Sequence, residues 1–182
     1  MRILGISGSL RRDSHNTRLL RAAAHLLPSG VELEVWNGLR DLPPFDEDLE
    51  SDPGVAVEAF RATVEAADAV LFVTPEYNAG IPGQLKNAVD WLSRPYPDNA
   101  LKGRPVAVVG ASTGLFGAIW AQDQLRKALQ FAGANVHEEE LPIGQAHETL
   151  DERGLPVDDD QRQALETILA ALVELAEGAK VG

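Results

Sequence analysis

Short apolar runs alternate along this chain with longer segments in which apolar residues recur at helical spacing. Residues 2–7, 69–74 and 105–111 are nearly continuous apolar runs, which is typical of strands buried on both faces of a parallel sheet. Residues 31–36 alternate apolar and acidic side chains, so we expect a strand at the edge of that sheet. Residues 135–137 form the last predicted strand.

Between these runs, apolar side chains repeat every three or four residues, which predicts amphipathic helices. The predicted helices cover residues 17–27, 55–67, 82–92, 116–132 and 158–177. Strands that alternate with helices form a parallel sheet covered on both faces. The pattern therefore predicts a three-layer α/β fold of the flavodoxin-like kind, with a five-stranded parallel sheet in the order 2-1-3-4-5.

Two stretches show neither the strand nor the helix spacing of apolar residues, and we expect both to be irregular. Residues 37–54 carry three prolines and a run of acids, so they predict a long loop. Such a loop either flanks a site as a lid or partner contact, or is simply a solvated acidic surface. Residues 145–156 show no periodicity.

The connection between the first strand and the first helix has the composition of an anion-binding loop. Small residues let backbone N–H groups converge on an anion, and the following helix adds the positive end of its dipole. Side chains that donate hydrogen bonds or carry positive charge follow in the same stretch: Ser7, Ser9, Arg11, Arg12, Ser14 and Asn16. This composition predicts a phosphate site. The alternative is an ordinary strand–helix connection in which Asn16 or a serine caps the helix.

Three features that are absent from the sequence limit the class of phosphate ligand that this loop could bind. The loop has no GxxxxGK[ST] sequence, which a triphosphate site with Mg²⁺ requires, and no GxGxxG sequence. No acid stands at Trp36-Asn37, where a dinucleotide site holds the adenosine ribose. A monophosphate held by amides, hydroxyls and an arginine is the remaining interpretation.

Residues 75–82 and 112–117 are two further loops rich in turn-forming and small residues. In the predicted strand order, the sheet reverses direction between strands one and three, and ligands bind at the carboxyl ends there. The phosphate loop and these two loops all open at that end. We therefore expect a single binding site.

Composition and charge exclude several classes of function. A chain of 182 residues fits one domain over residues 1–182, and its net charge of −12 opposes binding to nucleic acid or anionic membranes. No apolar stretch approaches the ~18 residues of a membrane span. Met1-Arg2 leads straight into a strand without a signal peptide, and cysteine is absent, so we expect a cytoplasmic protein. The histidines lack metal-ligand spacing, which predicts no metal site.

Two motifs carry a family resemblance. The first is Gly8-Ser9-Leu10-Arg11 with Ser14 and Asn16, and the second is TPEYN at residues 74–78 continuing into IPGQLKNAVDWLSR at residues 81–94. Over residues 1–144 the chain resembles the NADPH-dependent FMN reductase family. The resemblance implies non-covalently bound FMN and hydride transfer from NADPH or NADH. Electrons then pass to a quinone, free flavin, azo compound or metal oxyanion in a ping-pong cycle.

The resemblance also assigns roles to residues. It implies that the FMN phosphate is held by Ser9, Arg11, Ser14, Asn16 and the amide of Thr17. The isoalloxazine would lie along the loop residues Pro75, Glu76, Tyr77, Asn78, Ala79 and Gly80, and its N1/O2 side would meet Ser112, Thr113 and Gly114. The chemistry is the cofactor's, so no catalytic side chain is implied. Alternatives remain for several residues: Glu76 bonding a neighbouring backbone or subunit, Tyr77 packing, Asn78 serving the turn, and Ser112 capping a helix.

The predicted helices 82–92 and 116–132 suggest a subunit contact. Helix 116–132 has an inward stripe of Ala118, Ala121, Leu125, Ala128, Leu129 and Ala132, and an outer side with Phe116, Ile119, Trp120 and Phe131. In helix 82–92 we expect Trp91 to point away from the core. Exposed aromatic residues on one sheet face predict a homodimer or homotetramer through these helices. The alternative is that Trp91 and Trp120 pack beneath local loops.

A second class of function stays open at this point. A flavodoxin-like electron carrier without NADPH turnover would share the fold and suit the acidic surface. The first loop lacks the threonine-rich sequence of flavodoxins, which favours the reductase.

Overall fold

The computed structural model describes residues 1–180, which contain a parallel sheet of six strands. The strands are β1 (Arg2–Ser7), β2 (Glu32–Trp36), β3 (Ala69–Thr74), β4 (Pro105–Ala111), β5 (Asn135–Val136) and β6 (Pro142–Ile143). Their order is β2-β1-β3-β4-β5, with β6 beside β4, and every strand pair is parallel. The predicted flavodoxin-like fold and strand order are therefore confirmed. The last two residues of the expected domain, 181–182, lie outside the described residues.

Six helices connect and cover these strands within the described range. They are α1 (His15–Ala23), α2 (Val55–Glu65), α3 (Gly83–Leu92), α4 (Ile119–Phe131), α5 (Ala146–Thr149) and α6 (Asp159–Gly178). Helix α1 begins two residues before the predicted start because Ser14, and not Asn16, is its N-cap. Helix α4 begins at Ile119, so Phe116 precedes it. None of the helices in residues 1–180 is long and apolar enough to cross a bilayer.

The sheet separates two apolar cores. One core lies between the sheet and helices α2, α3 and α4, with Phe60, Phe72 and Leu125 among its buried members. The other lies between the opposite face and helices α1 and α6, around Leu20, Leu71 and Leu169. Both faces of β3 and β4 are covered, which explains their continuous apolar sequences. The prediction that α3 and α4 share a face is correct.

The loop of residues 37–54 is more ordered than its sequence suggested. It contains two short 3-10 helices, Gly38–Asp41 and Glu47–Leu49, and buries Leu39 and Leu42. Side chains of α3 hold it: Gln84 donates to the carbonyls of Leu39 and Leu42, and the Asn87 amide bonds both Pro43 O and Phe45 N. These contacts fasten residues 39–45 of the loop to α3, and Leu39 and Leu42 join the core while most of the remaining loop residues are exposed.

Trp91 does not point into solvent, and that prediction is wrong. Its side chain is fully buried under the same loop, where the indole Nε1 donates to Pro43 O at 2.8 Å. Phe45 meets the indole edge-on with ring centroids 4.9 Å apart. An off-stripe tryptophan can be buried when a loop covers it and accepts its N–H.

Strand β6 is the main element that the sequence pattern missed. Gly110 and Ala111 at the end of β4 pair with Pro142 and Ile143. The chain then passes so close to the loop after β4 that a Cβ on Gly144 would lie 2.2 Å from Leu115 O. Residues 145–156, expected to be irregular, include the short helix α5. This packing supports the loop 112–117 from the side.

Candidate active site

The loops after β1, β3 and β4 meet in a narrow cleft at the carboxyl end of the sheet. Its volume is about 70 Å³, which is room for a phosphate-sized anion. The lining residues come from all three loops: Ser9, Arg11, Ser14, His15, Asn16, Pro75, Glu76, Tyr77, Ala111, Ser112 and Thr113. The predicted site residues Thr17, Asn78, Ala79, Gly80 and Gly114 belong to the same loops but do not line this cleft. The expectation that the three loops share one place is thus met by the geometry.

The β1–α1 loop is held by hydroxyl groups at its base. Ser7 Oγ and Thr17 Oγ1 lie 2.8 Å apart, and Ser14 Oγ accepts from the amide of Thr17 at 3.2 Å. The Thr17 amide is therefore used by the helix cap. The first amides of α1 have no intrahelical acceptor and carry the positive end of its dipole. Together with Arg11 and the Ser9 hydroxyl, they give this side of the cleft the donors that a phosphate needs.

Asn16 connects the first loop to the third. Its side chain is buried, with Nδ2 donating to Ala111 O at 2.8 Å and Oδ1 accepting from Ala111 N at 2.9 Å. Both polar atoms of the amide are thereby engaged by one backbone unit at the end of β4. The direct contact of Asn16 with a phosphate stays a prediction. Its observed contacts hold α1 against β4.

The second loop is a tight turn anchored to α4. Tyr77 and Gly80 exchange backbone hydrogen bonds at 3.1 and 3.2 Å, and Asn78 and Ala79 have φ of 53° and 56°. Two consecutive positive φ values define a type I′ turn. The Glu76 carboxylate accepts from Ala121 N at 3.0 Å, and Gln124 Nε2 donates to Ala79 O at 3.0 Å. Glu76 thus bonds the first turn of a neighbouring helix, as the alternative interpretation of this residue expected.

The third loop is hydrogen-bonded to β6 and to the segment that follows it. Ser112 N donates to Ile143 O at 3.0 Å, and Ala146 N donates back to Ser112 O at 2.9 Å. Ser112 Oγ accepts from Gly114 N at 3.1 Å. The amides of Ser112 and Gly114 are thus used within the protein. Thr113 between them is exposed at the rim of the cleft.

His15 is a cleft residue that the sequence analysis did not select. Burial lowers the pKa of His15 below its ordinary value of 6.5, and the charges of Arg18, Arg11 and His147 lower it further. Its Nδ1 is buried without a hydrogen-bond partner among residues 1–180. The sequence could have indicated His15 through its position, because it directly follows Ser14 in the stretch predicted to bind the anion.

The donors of this cleft fit the phosphate of FMN. Arg11, Ser9 and the start of α1 line it from the first loop, and Tyr77, which begins the 77–80 turn, and the exposed Thr113 line it from the other two. Tyr77 is half exposed, so the rim is open to a planar group larger than the cleft itself. Fold and site together define a nucleotide-binding flavodoxin-like protein.

Comparisons with known proteins identify the family. The profile of the family described as NADPH-dependent FMN reductase matches residues 1–148. An NAD(P)H-dependent FMN reductase of Pseudomonas aeruginosa is 42% identical over 94% of this chain and 93% of its own length. A 2-hydroxy-1,4-benzoquinone reductase of a Burkholderia species is 36% identical over 93% of this chain and 92% of its own. The solved structure of FerB, a flavoenzyme NAD(P)H:acceptor oxidoreductase of Paracoccus denitrificans, has a TM-score of 0.84 and 35% identity, covering 98% of both chains.

The chain belongs to the NADPH-dependent FMN reductase family. It is therefore a member of an oxidoreductase family that uses FMN and a nicotinamide nucleotide. The resemblance carried by the two motifs is confirmed.

The Asn16 bridge predicts a stability effect that needs no cofactor. Asn16→Ala leaves the buried carbonyl and amide of Ala111 without partners, so we expect FMN-free protein to lose about 2–4 kcal/mol of unfolding free energy in urea. Ser9→Ala is the control, because the Ser9 hydroxyl accepts an exposed hydrogen bond from Arg11 N at 3.3 Å, whose loss should leave nearly the full stability. An Asn16→Ala protein as stable as the unchanged one would contradict this role.

His15 predicts a pH signature of phosphate binding. In FMN-free protein its NMR titration midpoint should lie below 6.5. Folding stability should then fall as the pH drops below 6.5, because the unfolded chain takes up this proton more readily. Adding FMN should raise the midpoint, since a phosphate dianion nearby favours the imidazolium. Riboflavin, which lacks the phosphate, is the matched control. A midpoint that does not respond to FMN would contradict this placement of the phosphate.

Proposed function

We propose that this protein oxidises NADPH and reduces a quinone-type acceptor through FMN bound at the three-loop cleft, in a ping-pong cycle. The observation that carries the proposal is the meeting of the three loops around Arg11 and the start of α1. The quinone class is supported by the Burkholderia relative, which is named a 2-hydroxy-1,4-benzoquinone reductase and aligns over 93% of this chain.

The phosphate end is anchored by charge in an otherwise acidic protein. Arg11 contributes a guanidinium, whose fork of donors matches phosphate oxygens, and Ser9 adds a hydroxyl. The N-terminal amides of α1 add further donors and a favourable dipole. Anchoring this end orients the remainder of the cofactor towards the loops after β3 and β4.

The ring end rests on a rigid support. The 77–80 turn is closed by its own hydrogen bonds and held to α4 by Glu76 and Gln124, so its backbone cannot move independently of that helix. Thr113 lines the cleft from the loop after β4, where hydrogen-bond donors would stabilise negative charge on a reduced ring. Bound FMN supplies the hydride and electron chemistry, and the protein supplies position and hydrogen bonds.

The open rim favours the ping-pong sequence. Tyr77 and Thr113 are exposed at this rim, and both substrates would have to reach the flavin through the same opening. A nicotinamide must approach to roughly 3–3.5 Å of the reacting atom, and so must the acceptor. The two substrates therefore occupy the same place in turn.

Steady-state kinetics test the proposal. FMN-loaded protein should oxidise NADPH with a benzoquinone acceptor and give parallel double-reciprocal lines. Arg11→Ala should weaken FMN binding by about 10- to 100-fold because a charge-assisted phosphate contact is lost. Lys102→Ala removes a like charge from an exposed ion pair with Asp98 and should leave FMN binding unchanged. Intersecting lines would contradict the ping-pong order. FMN binding without NADPH oxidation would support an electron carrier instead.

We further propose that two copies pack through α3 and α4. A groove of about 720 Å³ lies between these helices, with Val89, Ala128 and Ala132 in its wall. Phe131 is 94% exposed and Tyr96 78% exposed beside it, and Trp120 and Phe116 are also exposed. A stable monomer rarely leaves such aromatic residues in water. Because α4 also holds the 77–80 turn, this packing would stiffen the ring site.

Light scattering tests the association. The unchanged protein should have a mass of at least twice 19.6 kDa, and Phe131→Glu should shift it to the monomer mass by placing a charge in the contact. Val55→Glu alters another highly exposed apolar residue, at the start of α2, and should leave the mass unchanged. A monomer mass for the unchanged protein would refute the interface, and the multiple observed distinguishes a dimer from a tetramer.

A further inference from the structure

A second cleft lies on the other side of the β1–α1 loop, towards the edge strand β2. It has a volume of about 180 Å³ and is bounded by the end of β2, the residues after it, and the outer side of the loop. Four arginines line it: Arg11, Arg12, Arg21 and Arg40. Ser9 and Arg11 line both clefts, so the two are neighbours divided by this loop.

The positive charge in this cleft is not neutralised by the protein. The chain carries a net charge of −12, yet four of its 16 lysines and arginines converge here. Within residues 1–180 none of the four guanidinium groups lies within 4.0 Å of a carboxylate oxygen, although Asp13 and Asp41 are adjacent in sequence to two of them. By contrast, Arg94 pairs with Glu50, and Arg126 pairs with Glu140. All four arginines are exposed to solvent, and their converging positive charge would attract an anion to this cleft.

The cleft is also shaped by its own contacts. Arg40 Nη2 donates to Leu10 O at 2.9 Å, which fastens the segment after β2 to the phosphate loop. The Ser7 and Thr17 hydroxyls bond each other in its wall. Arg12 and Arg21 make no hydrogen bond through their side chains to other described residues, so their donors are available to a ligand. Forked guanidinium donors suit a phosphate monoester.

The position of the cleft points to a nucleotide phosphate. In dinucleotide-binding folds of the Rossmann type, the residues after the second strand read the 2′ position of an adenosine ribose: an acid selects the hydroxyl, and an arginine nearby accommodates the phosphate. This chain has the flavodoxin-like strand order, so the comparison concerns only the chemistry at the end of β2. Here β2 ends at Trp36, no acid follows directly, and Arg40 stands four residues on. The end of β2 is two strand spacings, on the order of 10 Å, from β3 and three, on the order of 14 Å, from β4. An extended dinucleotide spans such a distance.

We propose that the arginine cleft binds the 2′-phosphate of NADPH while the nicotinamide lies at the three-loop cleft. The inference rests on the proposed NADPH oxidation and adds the origin of a preference for NADPH over NADH. Arg12 and Arg21 are the specificity residues, and Arg40 positions the loop.

The test compares the two nicotinamide nucleotides on FMN-loaded enzyme. Arg12→Ala and Arg21→Ala should each raise KM for NADPH by about tenfold, the double variant by more, and leave kcat and the KM for NADH within about twofold. Lys102→Ala, at the opposite end of the sheet, removes one positive charge and should change neither KM. Equal effects on both nucleotides, or no effect on either, would refute the assignment.

Direct binding separates this inference from the proposed function. Adenosine 2′,5′-bisphosphate should bind the FMN-loaded protein in calorimetry, bind the double variant at least tenfold more weakly, and compete with NADPH. If it binds no tighter than inorganic phosphate, the cleft is a general anion site and the assignment is wrong. If the protein oxidises neither nucleotide, the proposed function fails, and the calorimetry still reports whether the arginine cleft recognises the 2′-phosphate.

Discussion

The buried amide of Asn16 is the contact on which the arrangement of the site depends. Parallel strands bring three loops to one edge of the sheet, but the loops after β1 and β4 are separated there by β3. Asn16 closes that gap by bonding both backbone groups of Ala111. A side-chain amide carries a donor and an acceptor in one planar unit and needs no change of protonation state to use both. The start of α1, which lines the three-loop cleft, is thereby fixed relative to β4.

A second set of polar contacts extends this order to the ring side. Gln122 is fully buried in α4, donates to Gly117 O, and accepts from Leu141 N. Its position links the loop after β4, the start of α4 and the entry to β6. Glu76 and Gln124 then connect α4 to the 77–80 turn. Every loop of the site is therefore tied by buried or half-buried polar groups, and loosening one would be felt by the others.

The elements that could be predicted from sequence are those determined by burial alone. Strands β1, β3 and β4 match their predicted bounds because both faces are apolar, and the strand order follows from alternation with helices. Strand β6 has only two residues, which is too short for any period to appear. Helical spacing predicted that Trp91 would be exposed. The residues that cover it, Pro43 to Phe45, come from a distant part of the chain, and helical spacing carries no information about such contacts.

The candidate site, too, has features that could be predicted from sequence and features that could not. Residue type and loop position were enough to predict that Ser9, Arg11 and other members of the three loops would line one cleft, and their binding of FMN stays a prediction. Which polar atoms remain free was not visible in the sequence. The Thr17 amide is taken by Ser14, and the Asn16 amide is taken by Ala111. The Asn16 contact depends on how closely two segments remote in sequence approach each other. The Thr17 contact depends on the residue at which α1 begins, which sequence patterns locate only to within one or two residues.

The β1–α1 loop has two chemically similar sides, and this follows from its place between β2 and β3. One side faces the loops after β3 and β4, and the other faces the end of β2. Arg11 borders both clefts, so a phosphate on one side would screen its charge from the other. Arg12, Arg21 and Arg40 line only the β2-side cleft, so its positive charge would remain if an anion occupied the other side. A single short loop can thus accommodate two anions in an acidic protein, provided that the second cleft carries its own positive charge.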